Sequence, residues 1–156
     1  MRPQQNTTGE QRQPQKKLQQ NKPVKYSDPA PDASQMFGLH SWCLVGGFGK
    51  NPVVDDLKAQ LKDCGHNVFT VNPYGGKSAE AASVSEVPAD FPIDVLHLCV
   101  NPVVGEKMLR EAQARGCRNV YAQPGAESPE LAKLAGELGM AFRRGCVLVE
   151  MELPAF

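Results

Sequence analysis

Residues 41–51, SWCLVGGFGKN, constrain the fold more than any other stretch of the chain. The apolar run Trp42 to Val45 ends in three glycines, Gly46, Gly47 and Gly49, set around Phe48; Lys50 and Asn51-Pro52 follow. A short apolar run bounded by glycines suits a strand buried on both faces. Asn51 is a good helix cap, and Pro52 fits the first helical position, where no backbone donor is needed. The spacing therefore predicts strand, glycine loop, helix. In an open parallel sheet such a loop lies at the carboxyl end of the strand, where ligands bind. N–H groups at a helix start attract an anion, and Lys50 adds a positive charge. The same glycines would also serve a plain tight turn, so this stretch alone leaves both readings open.

The pattern repeats downstream. Val54, Leu57 and Leu61 form one apolar face of a helix over 52–62, with Gly65 as its terminator. Val68 to Val71 reads as a second strand, closed by Asn72-Pro73-Tyr74-Gly75-Gly76-Lys77. Residues 78–92 are weakly patterned, with a short helical turn expected around Ala79 to Ala82. Ile93 to Val100 is a strand ended by Asn101-Pro102, and Val103 to Arg115 is a helix with Val104, Met108, Leu109 and Ala112 on one face. Asn119 to Ala122 is a fourth strand, followed by Gln123-Pro124-Gly125-Ala126-Glu127. Ser128 caps and Pro129 opens a helix carrying Leu131, Leu134, Ala135 and Leu138. Met140 to Phe142 is a fifth strand, and Cys146 to Glu150 reads as a final extended run. Alternation of this kind implies an α/β fold: a parallel sheet of about five strands, in three layers with helices on both faces. Every candidate site falls on a loop after a strand, at 46–51, 72–77, 100–102 and 123–127.

A dinucleotide fingerprint fails. Gly47 and Gly49 match its first two glycines, but Pro52 takes the third place and no acid closes the second strand. A phosphate-cradling G-K-[ST] motif does not follow the first glycines. The letters Gly76-Lys77-Ser78 lack the leading glycine and the long helix after them.

The order of the motifs resembles the small stand-alone coenzyme A-binding proteins, which are similar to the nucleotide-binding domain of the succinyl-CoA synthetase alpha subunit. The stretches that carry the resemblance are VGGFGKNP at 45–52, VNPYGG at 71–76, SEVPADFPIDVLHLCVNP at 85–102, ARGCRNVYAQPGAES at 114–128 and RRGCVLVE at 143–150. The resemblance implies a Rossmann-like domain over 36–156 that takes CoA or an acyl-CoA. It places the phosphates near Gly46, Gly47, Phe48, Gly49 and Lys50, and the nucleotide along Asn72, Pro73 and Lys77. Val100, Asn101 and Pro102 would pack near the adenine or pantetheine, and Gln123, Pro124 and Gly125 would close the far side. The chain departs from the family in two places. Pro52-Val53-Val54-Asp55 stands where the first helix usually opens with Arg and a Ser-Tyr pair, and Val100-Asn101 stands where Phe-Arg is usual. Both departures remove basic groups, so loss of CoA affinity is part of the reading.

The ligase relatives use a phosphorylated histidine on a further domain, and no histidine lies downstream of His97. Cys146 and Glu150 have no base placed by sequence to activate the thiol. The chain reads as a binding module with no catalytic residue. The alternative is an interaction or assembly subunit that keeps a degenerate CoA fold. Residues 1–35, rich in Gln, Asn and Pro, bury too little apolar surface to fold alone. They form a disordered arm, or one that orders against a protein partner. The arm holds six basic and three acidic residues, which leaves eleven basic and fourteen acidic in the remainder. A mildly acidic domain is a poor nucleic-acid binder, so nucleic acid would be met only through the arm. No apolar run approaches the ~20 residues that span a bilayer. The five cysteines form no C-x-x-C pair, and the three histidines are scattered, so no metal site is expected. Free thiols point to a reducing intracellular compartment, the cytoplasm or else the mitochondrial matrix.

Overall fold

The computed structural model describes residues 33–75 and 78–151. The expectations for residues 1–32, for Lys77 and for the last five residues fall outside the described residues. The chain runs α1 (Ala33–Phe37), β1 (Ser41–Gly46), α2 (Pro52–Asp63), β2 (Asn67–Val71), a 3-10 turn (Val84–Glu86), β3 (Val95–Cys99), α3 (Pro102–Ala114), β4 (Asn119–Ala122), α4 (Pro129–Glu137), β5 (Ala141–Arg144) and α5 (Val147–Glu150). The helix α1 begins inside the segment read as arm. The strands form one sheet in the order β2-β1-β3-β4-β5, with every pairing parallel. This is the expected Rossmann-like α/β architecture, and β1 is an interior strand.

Side chains alternate between the two faces of the sheet, and β1 is buried on both, so two apolar layers form. On one side Trp42 and Leu44 of β1, Val95 of β3 and Tyr121 of β4 pack with Met36 of α1, Val54, Leu57 and Leu61 of α2, and Val147 of α5. On the other, Cys43, Val45, Leu96, Leu98 and Val120 pack with Met108, Leu109 and Ala112 of α3 and Leu131 and Ala135 of α4. Trp42 is wholly buried, and its indole Nε1 donates to the Leu39 carbonyl at 3.0 Å. That bond ties the residues leading into β1 to the strand itself.

The long helices start as their sequences require. Asn51 Oδ1 accepts from Val53 N, Asn101 Oδ1 from Val104 N and Ser128 Oγ from Leu131 N, and a proline follows each cap. Two expectations are corrected. Residues 79–82 are bends with a single bridge from Ala81 to Val71, and the helical turn lies later, at Val84–Glu86. Thr70 draws this stretch against the edge strand, since its carbonyl accepts from Glu80 N and Ala81 N and its hydroxyl from Glu80 N. The run after Cys146 is the short helix α5, not a strand. Strand ends also move by one or two residues: Ile93 and Asp94 precede β3, and Met140 precedes β5. No helix among the described residues is long and apolar enough to cross a membrane.

Candidate functional site

From β1 the chain crosses outward to β2, then returns past β1 to β3. The order reverses between β1 and β3, where Gly46 pairs with Cys99 at the carboxyl ends. Loops leave these two strands for opposite layers and open a crevice, as is general at such switch points. The crevice has a volume of about 830 Å³ and draws its walls from all four expected loops. Small-molecule sites commonly have this size.

The three glycines of the first loop do three different jobs. A Cβ on Gly46 would lie 2.7 and 2.9 Å from the Val54 methyls, so Gly46 lets β1 press against α2; it is buried and does not line the crevice. Gly49 has φ +85, which side chains rarely adopt. Gly47 faces the crevice, and a Cβ there would meet only Tyr74 at 3.7 Å. Phe48, Lys50 and Asn51 also line the wall. The loop's own turn consumes most of its donors. Phe48 N donates to Gly46 O, and both Lys50 N and Asn51 N donate to Gly47 O. An anion here would therefore rest on the Lys50 ammonium and the start of α2 more than on a nest of N–H groups.

Asn72 staples the second loop to the first. Its Nδ2 donates to the Phe48 carbonyl at 3.3 Å, and its Oδ1 accepts from Tyr74 N at 3.0 Å. Both polar atoms are thus committed, which makes Asn72 a builder of the wall. Tyr74, 58% exposed, lines the crevice with Gly75 and Ser78. Pro73 stands outside it. From β3 come Cys99, Val100 and Asn101. Val100 is buried in the α3 layer, Asn101 is spent on capping α3, and Pro102 opens that helix without lining the crevice. Gln123, Pro124, Gly125 and Ala126 close the far wall. Gly125 N donates to Glu127 Oε1, and Arg144 pairs with the other oxygen of Glu127 at 3.3 Å. Burial raises the Glu127 carboxyl, but these partners outweigh it and hold the group below its ordinary value.

Gln123 joins the crevice to the core. It is 5% exposed, and its Oε1 accepts from His97 Nε2 at 3.0 Å and from Val147 N at 3.1 Å. His97 stands edge-on to Trp42 and Tyr121, with ring centroids 5.7 and 5.1 Å away. Among the described residues its Nδ1 has no partner, and a buried ring without one favours the neutral form. Burial pulls His97 down to about 4, against a smaller rise from Gln123. Burial also lowers His66, on the other side of Trp42. Because these values are depressed in the fold, the unfolded chain binds protons that the native state refuses. The resulting stability is intact above about pH 6.5 and is lost as pH falls toward 4. Between pH 7 and pH 5, above most carboxylate titrations, His97 should contribute a loss of about 2 kcal/mol. Urea unfolding of the wild type and His97→Leu at both pH values checks this. The variant should show a shallower pH slope, and an unchanged slope would remove His97 as its source.

The sequence pair Cys146 and Glu150 resolves into a structural network. Glu150 accepts from the Tyr121 hydroxyl and pairs with Arg143 Nη2 at 2.6 Å. Burial, and then the Glu150 hydrogen bond, push the Tyr121 phenol up. Gly145 sits so close that a Cβ there would strike Glu150 and the Tyr121 hydroxyl. Glu150 thus anchors α5 to β4 and β5. Among the wall residues, sequence reasoning missed Asn51, Tyr74, Gly75, Ser78, Cys99 and Ala126 as site residues. All but Ser78 sit inside or beside loops already marked, so adjacency was the available signal. Ser78 arrives only through the bend after the second loop, where its side chain approaches Gly49.

The sequence model of the family described as CoA binding domain matches residues 41–152, well over half of the chain. Among solved structures, a conserved hypothetical protein from Pyrococcus furiosus is 32% identical, with a TM-score of 0.61, covering 72% of this chain and 100% of its own. A Thermus thermophilus protein is 26% identical, with a TM-score of 0.63 over 75% of this chain and 92% of its own. A hypothetical protein from Pyrococcus horikoshii, 22% identical, shares the fold with a TM-score of 0.69 over 85% of this chain and 95% of its own. No curated protein matches the chain. With the family's sequence pattern spanning every strand of this sheet, the chain belongs to the CoA-binding domain family.

Proposed function

We propose that the crevice between β1 and β3 binds CoA or an acyl-CoA without catalysing a reaction on it. The observation that carries this is the crevice itself: in a chain of this family, four loops converge at the switch point around about 830 Å³. Among the described residues Lys50 is the charged side chain on its wall, and apolar surface from Val100, Pro124 and Ala126 suits pantetheine. The residues fit the ligand's parts: a cation and a helix start for phosphate, an exposed tyrosine ring for a flat base, and the Gln123 amide for polar groups along the chain.

Calorimetric titration with CoA, NAD and ATP tests the reading, and CoA is expected to bind most tightly. Lys50→Glu should weaken CoA by about tenfold, since a phosphate would then face a like charge. Unchanged affinity removes Lys50 from the site, and tighter NAD binding overturns the ligand class. A second reading draws on the inward turn of the Phe48, Lys50 and Asn51 N–H groups. With so few donors left, the domain serves as an interaction subunit, and residues 1–35 order against a protein partner. Native mass spectrometry of the purified chain separates the two: co-purified CoA supports the first, and a chain that binds no CoA but enters a complex supports the second.

A further inference from the structure

Gly49 and Ser78 both line the crevice, one from the loop after β1 and one from the bend beyond β2. A Cβ on Gly49 would lie 2.5 Å from Ser78 Oγ and 3.2 Å from Ser78 Cβ, so glycine here admits the serine hydroxyl as well as the left-handed φ of +85. Ser78 is exposed, and among the described residues its hydroxyl has no hydrogen-bond partner. The chain just after it fixes its position. Glu80 N and Ala81 N donate to Thr70 O, Asn72 N donates to Ala81 O, and Glu80 Oε2 accepts from Thr70 N and from the Thr70 hydroxyl. These bonds fasten the bend along the edge strand β2 and hold Ser78 over the first loop. Lys50 lines the same wall, while Phe48 N, Lys50 N and Asn51 N are spent inside their own turn. An anion seated at this loop therefore depends on side-chain donors. A serine hydroxyl and a lysine ammonium both suit phosphate oxygens.

We propose that Ser78 is a phosphate-binding residue of the crevice, whose hydroxyl, together with the Lys50 ammonium, holds the diphosphate of CoA against Gly49. The inference rests on the CoA reading above. The hydroxyl donates to a diphosphate oxygen from the β2 side, and Lys50 offsets the charge from the β1 side, so two loops close on one group. The hydroxyl gives up no protein bond to do so, and the fastened bend holds it in place before the ligand arrives. The diphosphate is the middle of the CoA molecule, with the base on one side and pantetheine on the other. The glycine loop is likewise the middle of the crevice, between Tyr74 after β2 and Gln123 after β4.

Full-length wild type and Ser78→Ala are titrated by calorimetry with CoA, with dephospho-CoA, which lacks the 3′-phosphate, and with pantetheine, which lacks every phosphate. The variant should bind CoA and dephospho-CoA about tenfold more weakly, since a hydrogen bond to a charged group is lost, and pantetheine as the wild type does. Lys50→Ala should also weaken both nucleotides. The double variant should lose less than the product of the two single losses, because both side chains hold one group. Unchanged CoA affinity in Ser78→Ala overturns the proposal. So does an equal loss for pantetheine, which would mean a reshaped wall, and so does a loss for CoA but not for dephospho-CoA, which would place Ser78 on the 3′-phosphate. Single losses that multiply put Ser78 and Lys50 on separate groups and overturn the shared site. In each of these cases CoA still binds the wild type, and the binding function stands. A wild type that binds none of the three ligands overturns the CoA reading itself, and this inference with it.

Discussion

Gln123→Leu is expected to lower the unfolding free energy by about 2–4 kcal/mol, because two buried donors lose their acceptor at about 1–3 kcal/mol each. Those donors are His97 Nε2 and Val147 N. Leucine is one atom shorter than glutamine but of similar bulk, so the cost arises from unmet hydrogen bonds more than from a cavity. On the proposed binding of CoA in the crevice, CoA affinity should fall in the same variant, since Gln123 on the far wall also holds the start of α5. Urea denaturation with a parallel titration measures both. A change under about 0.5 kcal/mol, the usual size for a surface substitution, would show that Gln123 carries no such bonds. Gln123→Glu sharpens the test. A carboxylate still accepts from both donors, and its charge should raise His97 from about 4 toward its ordinary value.

Trp42→Ala should have the largest effect on folding, about 3–5 kcal/mol, from lost burial and the cavity left behind. Trp42 is central to an aromatic group, with Phe37, His66, His97 and Tyr121 at ring-centroid distances of 5.5 to 5.9 Å. The substitution also strands the Leu39 carbonyl that its indole N–H satisfies. Trp42→Phe should cost less, since it keeps ring contact and loses one hydrogen bond. Thermal or urea unfolding of the two variants checks the ranking, and equal losses would show that the lost indole bond to the Leu39 carbonyl, and not the lost ring packing, sets the cost.

Much of the architecture was legible because its signals are local. A capping side chain, a proline one residue on and an apolar face at helical spacing lie within one helical turn or two, and each of Asn51, Asn101 and Ser128 starts its helix as expected. The same holds for β1, whose unbroken apolar run is buried on both faces. Four loops at the carboxyl edge followed from the alternation itself, and ten of the fourteen residues marked in them line the crevice. Lys77 lies outside the described residues, and Gly46, Pro73 and Pro102 stand behind the wall.

What failed to show in the sequence depends on partners far away along the chain. Val147-Leu148-Val149-Glu150 has the β-branched, apolar character of a strand. It closes as a helical turn because Val149 N and Glu150 N find the Cys146 carbonyl, Val147 N finds Gln123, and Glu150 reaches Tyr121 and Arg143. Likewise, nothing local distinguishes a glutamine that offers its amide to a ligand from one whose oxygen is already spoken for. Local signals were enough to mark where helices begin, which strand is buried and on which edge the loops gather, since capping, periodicity and backbone freedom act over a few residues. Folding in three dimensions settled that Gly46 serves packing, that the glycine loop turns its donors on itself and that Gln123 joins His97 to Val147. Those outcomes follow from contacts between segments dozens of residues apart, where burial makes every unmet hydrogen bond costly.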